Sequence, residues 1–295
     1  MQSDTRVIFS LYRQPLNRLD FSCFIKLSFS KMTLDQISNL DIYDGLKKRK
    51  LKSFFHIKKL SELKAAHYSE KVSKNRMEKS EKSVRLQFIF QGDLSKVDYI
   101  GKCFDGCNVY IDSSVGNYCG DHFTSGYIFI EGSAGIHIAS KMEGGKIEVK
   151  GDVGAFGAAN LPGDKHGMKG GYLLVHGSVG ERFGQRMRRG FVLIRGNAGN
   201  FFCSYMTAGT VLVGGKVGPF AGFGMRRGSI FFAGEAPAVP RTFISANHDF
   251  SSFWGLVTKQ FLKFGKPFTT MEFRCVKRFV GDRAFTGQAE WFVRI

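Results

Sequence analysis

Residues 184–234 read GQRMRRGFVLIRGNAGNFFCSYMTAGTVLVGGKVGPFAGFGMRRGSIFFAG, and they repeat every 19 residues. Gly196, Gly215 and Gly234 mark the period. Working back, Gly177, Gly151 and Gly132 continue the series in steps of 19, 26 and 19. Ser113 holds the same place one step earlier. A second series is Gly116, Gly135, Gly154, Gly180, Gly199, Gly218, and a third is Gly126, Gly145, Gly171, Gly190, Gly209, Gly228. Thirty-one of the 36 glycines fall within 92–234, so the spacing belongs to that region and defines a repeat.

Each repeat ends in a short strand-like run, such as YIFIEG, KIEVKG or FVLIRG. Aligned on the period, these runs give apolar ladders. One is Val109, Ile128, Ile147, Leu173, Val192, Val211, Ile230; another is Ile111, Ile130, Val149, Val175, Ile194, Val213, Phe232. Positions two apart on a strand share a face, so both ladders point inward. A third ladder is Phe104, Phe123, Met142, Met168, Met187, Met206, Met225. A fourth keeps small groups only: Gly101, Gly120, Ala139, Ala158, Gly184, Cys203, Gly222. One repeat cannot bury its apolar face alone, whereas stacked repeats share a core at roughly 2 kcal/mol of gross burial per inward side chain. A helix is excluded by the two-residue alternation and the glycine density. The six-residue sub-period of hexapeptide coils is absent. The expected fold is mainly β: a parallel β-helix of about seven turns over 92–234.

A stack has two open ends to cover. Residues 1–91 are expected to form one cap, basic and partly helical, and 235–295 the other, a helix plus a strand. VIFSLYR (7–13) reads as a strand. Thr33-Leu-Asp-Gln36 reads as a capping box that opens a short helix through Leu40. The Lys-rich residues 44–83 read as helix, with a mobile stretch near 69–83. In the tail, SSFWGLVTKQFLKF reads as helix, MEFRCVKRFV as strand and GDRAFTGQ as a turn.

The net charge is +18. Residues 1–91 carry 19 Lys/Arg against 9 Asp/Glu, residues 92–234 carry 15 against 11, and residues 235–295 carry 9 against 5. This excess points to acidic partners. No apolar stretch is long enough to span a membrane and the N-terminus lacks a secretory pattern. The six scattered cysteines fit a reducing compartment, so a cytoplasmic location is expected.

The repeats carry a family likeness. The stretches GAANLPGDKHGMKGG (157–171), GQRMRRGFVLIRGNAG (184–199) and GPFAGFGMRRGSI (218–230) resemble the GXGXG domain. That domain forms the C-terminal right-handed β-helix of the glutamate synthase large subunit. It also forms the β-helical subunit of formylmethanofuran dehydrogenase. The corresponding β-helical member of the formyltransferase/hydrolase complex is the nearer match, through GDLSKVDYIG (92–101) and RFVGDRAFTGQAEWFV (278–293). Ser113, Cys107, Cys203 and Ala139 depart from the pattern, and the Lys-rich 47–83 is unusual for the family. The resemblance implies a right-handed coil. It also implies a structural role beside catalytic partner subunits that pass a formyl group from a tetrahydromethanopterin carrier to a methanofuran-type cofactor and release it as formate. A methanofuran-type cofactor is implied for the complex; none is assigned to this chain.

Two irregularities are candidate sites. The 26-residue step inserts Asn160-Leu-Pro-Gly-Asp-Lys-His166 at a corner, and Asp164, Lys165 and His166 are candidates for partner or cofactor contact. The alternative is a plain Pro-Gly turn. Arg186, Arg188, Arg189, Arg226 and Arg227 form a column. Arg188 and Arg226 lie two turns apart, roughly 10 Å along the stack, a spacing that suits carboxylates on an acidic subunit or a cofactor tail, the alternative being a solvated basic face. No catalytic set and no metal set is assigned; Cys103, Cys107, Cys119 and His122 match no zinc spacing.

Three functions remain open on these residues. The first is a non-catalytic subunit of a one-carbon enzyme complex. The second is a stand-alone β-helix scaffold or a carbohydrate- or acyl-active enzyme. It needs acids or a histidine gathered on one face, whereas Asp112, Glu131, Lys150, His176 and Arg195 alternate in sign and type. The third is nucleic-acid binding through the basic N-terminal region, where aromatic platforms are few.

Overall fold

The computed structural model describes residues 5–24, 32–60, 86–246, 251–261, 265, 268–270 and 275–294. The chain is mainly β, with few helices, a 13-stranded sheet and a 4-stranded sheet.

The N-terminal segment is built by short-range alternation. Val7 and Phe9 alternate inward on β1 (Thr5–Leu11) and are fully buried. The small sheet begins with β2 (Leu19–Asp20). The capping box is present: the Gln36 N–H donates to Thr33 Oγ1 at 3.3 Å, and the Thr33 N–H to Gln36 Oε1 at 2.8 Å, opening α1 (Leu34–Ser38). Next come β3 (Asp41–Asp44), β4 (Lys47–Lys50) and β5 (Phe55–Leu60). The helix expected over 44–83 is thereby corrected for residues 44–60; the rest of that expectation, 61–83, lies outside the described residues. The physical reason is pairing. On β4, every residue is exposed, and Lys48 and Lys50 grip Asp41 of β3 at 2.9 and 2.6 Å. On β5, Phe55 and Ile57 lie opposite Leu11 and Phe9 of β1. A run that suited an amphipathic helix is claimed by an existing sheet edge.

β6 (Leu86–Gln91) pairs in parallel with β1 and with the first repeat strand. β7 (Val97–Asp98) joins β2 in the small sheet. The Arg18 guanidinium fastens this junction to Asp98, with Nε 2.7 Å from Oδ2, while Asp98 Oδ1 also accepts the Asn117 N–H at 2.6 Å.

The repeat strands are β8 (Cys107–Ile111), β9 (Gly126–Ile130), β10 (Lys146–Val149), β11 (Tyr172–Val175), β12 (Phe191–Ile194), β13 (Thr210–Val213) and β14 (Arg227–Phe232). Each pairs in parallel with the next at the repeat register, so Val109, Ile128, Ile147, Leu173, Val192, Val211 and Ile230 stand one above another. The three apolar ladders read from the sequence are buried, Phe104 being the most exposed at 6%. A second line of parallel bridges runs Leu94, Val115, Ala134, Val153, Val179, Ala198, Val217 and adds a further inward ladder.

The small-residue ladder sits at left-handed φ throughout: Gly101 +77°, Ala139 +55°, Ala158 +55°, Cys203 +53°, Gly222 +60°. Two positions earlier runs a column of larger residues at left-handed φ: Tyr99, Tyr118, His137, Phe156, Arg182, Phe201, Phe220. Such backbone costs on the order of 1 kcal/mol per residue. Stacking offsets it. Ring centroids are 4.7 Å apart for Tyr99–Tyr118, 5.1 Å for Tyr118–His137 and His137–Phe156, and 4.9 Å for Phe201–Phe220. The Arg182 guanidinium lies 5.0 Å from the Phe201 ring. Each such contact contributes about 0.5–1.5 kcal/mol.

His137 in this column is 7% exposed. Burial holds its imidazole below the ordinary value, against an opposing pull from Asp121. A histidine lowered in the folded state favours folding fully above its unfolded value, near 6.5, and that contribution falls as pH drops below it. His137→Phe keeps the stack and removes the proton. Its urea midpoint is therefore expected to fall less than the wild type's between pH 7.5 and 5.5; equal falls would refute this account.

In the C-terminal segment, β15 (Ile244–Ser245), α2 (Ser251–Phe261), β16 (Val276–Gly281) and β17 (Gln288–Arg294) follow. β17 continues the parallel stack beside β14, and β16 and β15 then pair antiparallel. The outward faces of Leu193, Leu212, Phe231 and Phe292 gather with Trp254 of α2 in a second apolar cluster. No helix among the described residues is long and apolar enough to cross a membrane.

Candidate functional site

The insertion forms a Pro-Gly turn. The Asp164 N–H donates to Leu161 O at 3.0 Å with Gly163 at φ +85°, the geometry of a type II turn. Asn160 Nδ2 closes it onto Leu161 O and Asp164 O at 3.1 and 3.0 Å. The loop is fixed at both ends to the neighbouring repeat: Asn160 N–H to Gln185 O at 3.2 Å, and Gly167 N–H to Arg186 O at 2.9 Å. The two irregularities of the sequence therefore meet.

Around this junction the charges are unevenly matched. Asp164 is taken by Lys141 at 2.5 Å, and Glu143 by Lys169 at 2.7 Å. Lys165 is exposed at the turn, and Arg188, Arg189, Arg226, Arg227 and Arg186 lie at the surface. Their backbones share one register: Arg188 N–H donates to Met168 O and Arg226 N–H to Met206 O, two repeats on. The Arg186 guanidinium lies 5.8 Å from the Tyr205 ring, and Arg227 Nε donates to Gln288 Oε1. The His166 imidazole is held below its ordinary value, first by desolvation and then by Arg188, Lys165, Lys169 and Arg186. Its Nδ1 is buried without a hydrogen-bond partner among the described residues. The cations gathered around this imidazole are groups of the kind that hold carboxylates.

Sequence spacing alone did not reveal an apolar flank. Tyr205 meets Phe223 and Phe285 edge-on, at 5.5 and 6.4 Å. Thr286 Oγ1 donates to Arg226 O at 2.6 Å, which joins the turn after β16 to the arginine column. Tyr205 follows the position of Arg186 by 19 residues, and that spacing was the available signal.

A second polar cluster lies on the outer strand face. Glu148 Oε2 accepts from Tyr127 OH at 2.9 Å and Oε1 lies 2.9 Å from His176 Nε2, with Lys146 and Lys150 at 3.2 and 3.3 Å. Burial works to raise the Glu148 carboxyl, but His176, Lys146 and Tyr127 outweigh it and hold it well below the usual range. Both carboxylate oxygens are engaged, so the cluster is a closed ion-pair network. Cys119 is buried in the stack, which pushes its thiol up to about 12, and His122 Nδ1 lies 2.8 Å from Asp121. Among the described residues, no three His, Cys, Asp or Glu side chains are placed to hold a metal ion.

Residues 163–247 match the family model of the GXGXG motif. No curated protein matches the chain. Among solved structures, the chain matches one in the crystal structure of the formyltransferase/hydrolase complex (FhcABCD) from Methylorubrum extorquens in complex with methylofuran. The TM-score is 0.80 at 25% identity, over 98% of this chain and 99% of that one. The chain is therefore similar to a subunit of a formyltransferase/hydrolase complex and carries the GXGXG motif over part of its length. The resemblance read from the repeats is thus borne out along nearly the full length, beyond the stretches that first carried it.

Proposed function

We propose that the chain is a structural subunit of a formyltransferase/hydrolase complex in one-carbon metabolism, in the position of its β-helical member. The observation that carries this reading is the end-to-end match: 98% of the chain follows one chain of a multi-chain assembly whose structure holds methylofuran. The closed Glu148 network, with both carboxylate oxygens engaged, supports a scaffold over the stand-alone enzyme. In this reading residues 92–234 wind as a right-handed parallel β-helix, 1–91 and 235–295 are its caps, and the active sites lie on partner subunits. The complex would act in the cytoplasm on formyl groups carried by tetrahydromethanopterin- and methanofuran-type cofactors. Asp164, Lys165, His166 and the five arginines would contact a partner subunit.

The test is native affinity purification from the source cells, with mass spectrometry of subunits and bound small molecules. Co-recovery of formyltransferase-like and amidohydrolase-like subunits in fixed ratio is expected. Recovery of the chain alone overturns the reading.

A further inference from the structure

The arginine column borders an exposed apolar surface. Phe223 and Phe285 are each 45% exposed, Tyr205 is 37% and Ile244 is 49%. Phe285 and Ile244 line an open cleft of about 270 Å³ together with Val280, Arg283, Thr286 and Gly287. Contiguous exposed apolar residues of this kind mark contact surfaces. Two acids beside the column are already engaged. Asp164 and Glu143, the acids of the insertion and its neighbour, are already held by Lys141 and Lys169. Arg188 and Arg226 make no ion pair among the described residues. Guanidinium groups without an ion partner, joined through the Thr286–Arg226 hydrogen bond to a cleft whose apolar wall is Ile244, Val280 and Phe285, are complementary to acid beside an apolar anchor.

We infer that this surface docks an acidic segment of a partner polypeptide. The segment inserts an apolar side chain into the cleft beside Phe285 and presents carboxylates roughly 10 Å apart, the two-repeat separation, to Arg188 and Arg226. The inference rests on the reading of the chain as a member of a larger complex and names the chemistry of the partner that meets this face. A polypeptide fits better than a purely anionic tail. A carboxylate chain satisfies the arginines but leaves Phe223, Phe285 and Ile244 facing water.

The test places a photo-crosslinking benzoylphenylalanine at position 285 in the full chain within its assembled complex. It adds Arg188→Glu/Arg226→Glu, Phe285→Ser, and Lys216→Glu as an exposed control. The crosslinked peptide is expected to come from a partner subunit and to carry an apolar residue flanked by Asp or Glu. The double reversal and Phe285→Ser should each weaken partner retention at least tenfold, with unchanged thermal midpoints of the isolated chain. The control should leave retention intact. A crosslink to a neutral or basic segment, or full retention in both variants, overturns the docking inference while the complex itself stands. Retained partners with lost small-molecule cofactor would overturn it in favour of an anionic cofactor tail at this surface. A chain that recovers no partner at all overturns both readings.

Discussion

Trp291→Ala is expected to destabilise the protein by about 3–5 kcal/mol, the range for truncating a fully buried large aromatic. Trp291 is fully buried and lies opposite Ile230, where β17 extends the parallel stack past the last repeat. Its ring sits 4.9 Å from Phe232 and 4.8 Å from Phe243. It also fills the space left by Gly222, where an added Cβ would come within 2.8 Å of the indole. Removing it opens a cavity at the end of the stack that strand-paired neighbours cannot collapse to fill. The indole Nε1–H finds no acceptor among the described residues, which itself costs about 1–3 kcal/mol. Trp291→Phe should therefore be much milder than the alanine variant, since the lost contact is offset by removal of an unsatisfied donor. Urea unfolding of both variants checks the pair of claims. Equal losses for Ala and Phe would show that the packed ring is not what closes this end.

Gly196→Val should also be severe, roughly 3 kcal/mol, at the upper end for overpacking. A Cβ at Gly196 would lie 2.6 Å from the carbonyl carbon and oxygen of Gly177 in the repeat below. The obstacle is backbone, so no rotamer change relieves it; two repeats must part, and their parallel hydrogen bonds with them. Gly163→Ala is the useful contrast. Nothing lies within 4 Å of its Cβ position, so its cost comes only from the left-handed φ of +85°, about 1 kcal/mol. Thermal unfolding of the two variants should separate stack geometry from turn geometry. A Gly196 variant as stable as the Gly163 variant would refute the close-stacking account.

These two cases show how unevenly the sequence discloses its fold. The ladder of Val109 to Ile230 was legible because one residue per repeat, 19 apart save at the insertion, fills one inward position. The column Tyr99, Tyr118, His137, Phe156, Phe201 and Phe220 obeys the same logic. Its signal stood in the sequence at the same period, but aromatic residues at left-handed φ are not an expected pairing. The run over 47–60 forms strands where its pattern suggests helix, because a lysine-rich, half-apolar run satisfies both periods. Only the partners Asp41 and Phe9 decide between them.

The candidate site divides in the same way. The 160–166 insertion and the arginines at 186–189 and 226–227 could each be located by broken or repeated spacing. Their meeting could not, because the insertion's direction depends on which carbonyls of the next repeat accept its N–H groups, Gln185 and Arg186. Tyr205, Phe223 and Phe285 join them from elements up to 80 residues apart. The sequence by itself determined the 19-residue register, the inward ladders and the positions of both irregularities. These follow from local alternation and from the one-dimensional repetition of near-neighbour contacts. The tertiary structure alone decided which strands extend the stack beyond the repeats, which acids are already paired, and which arginines make no ion pair among the described residues. Those outcomes depend on distances between side chains that no period relates.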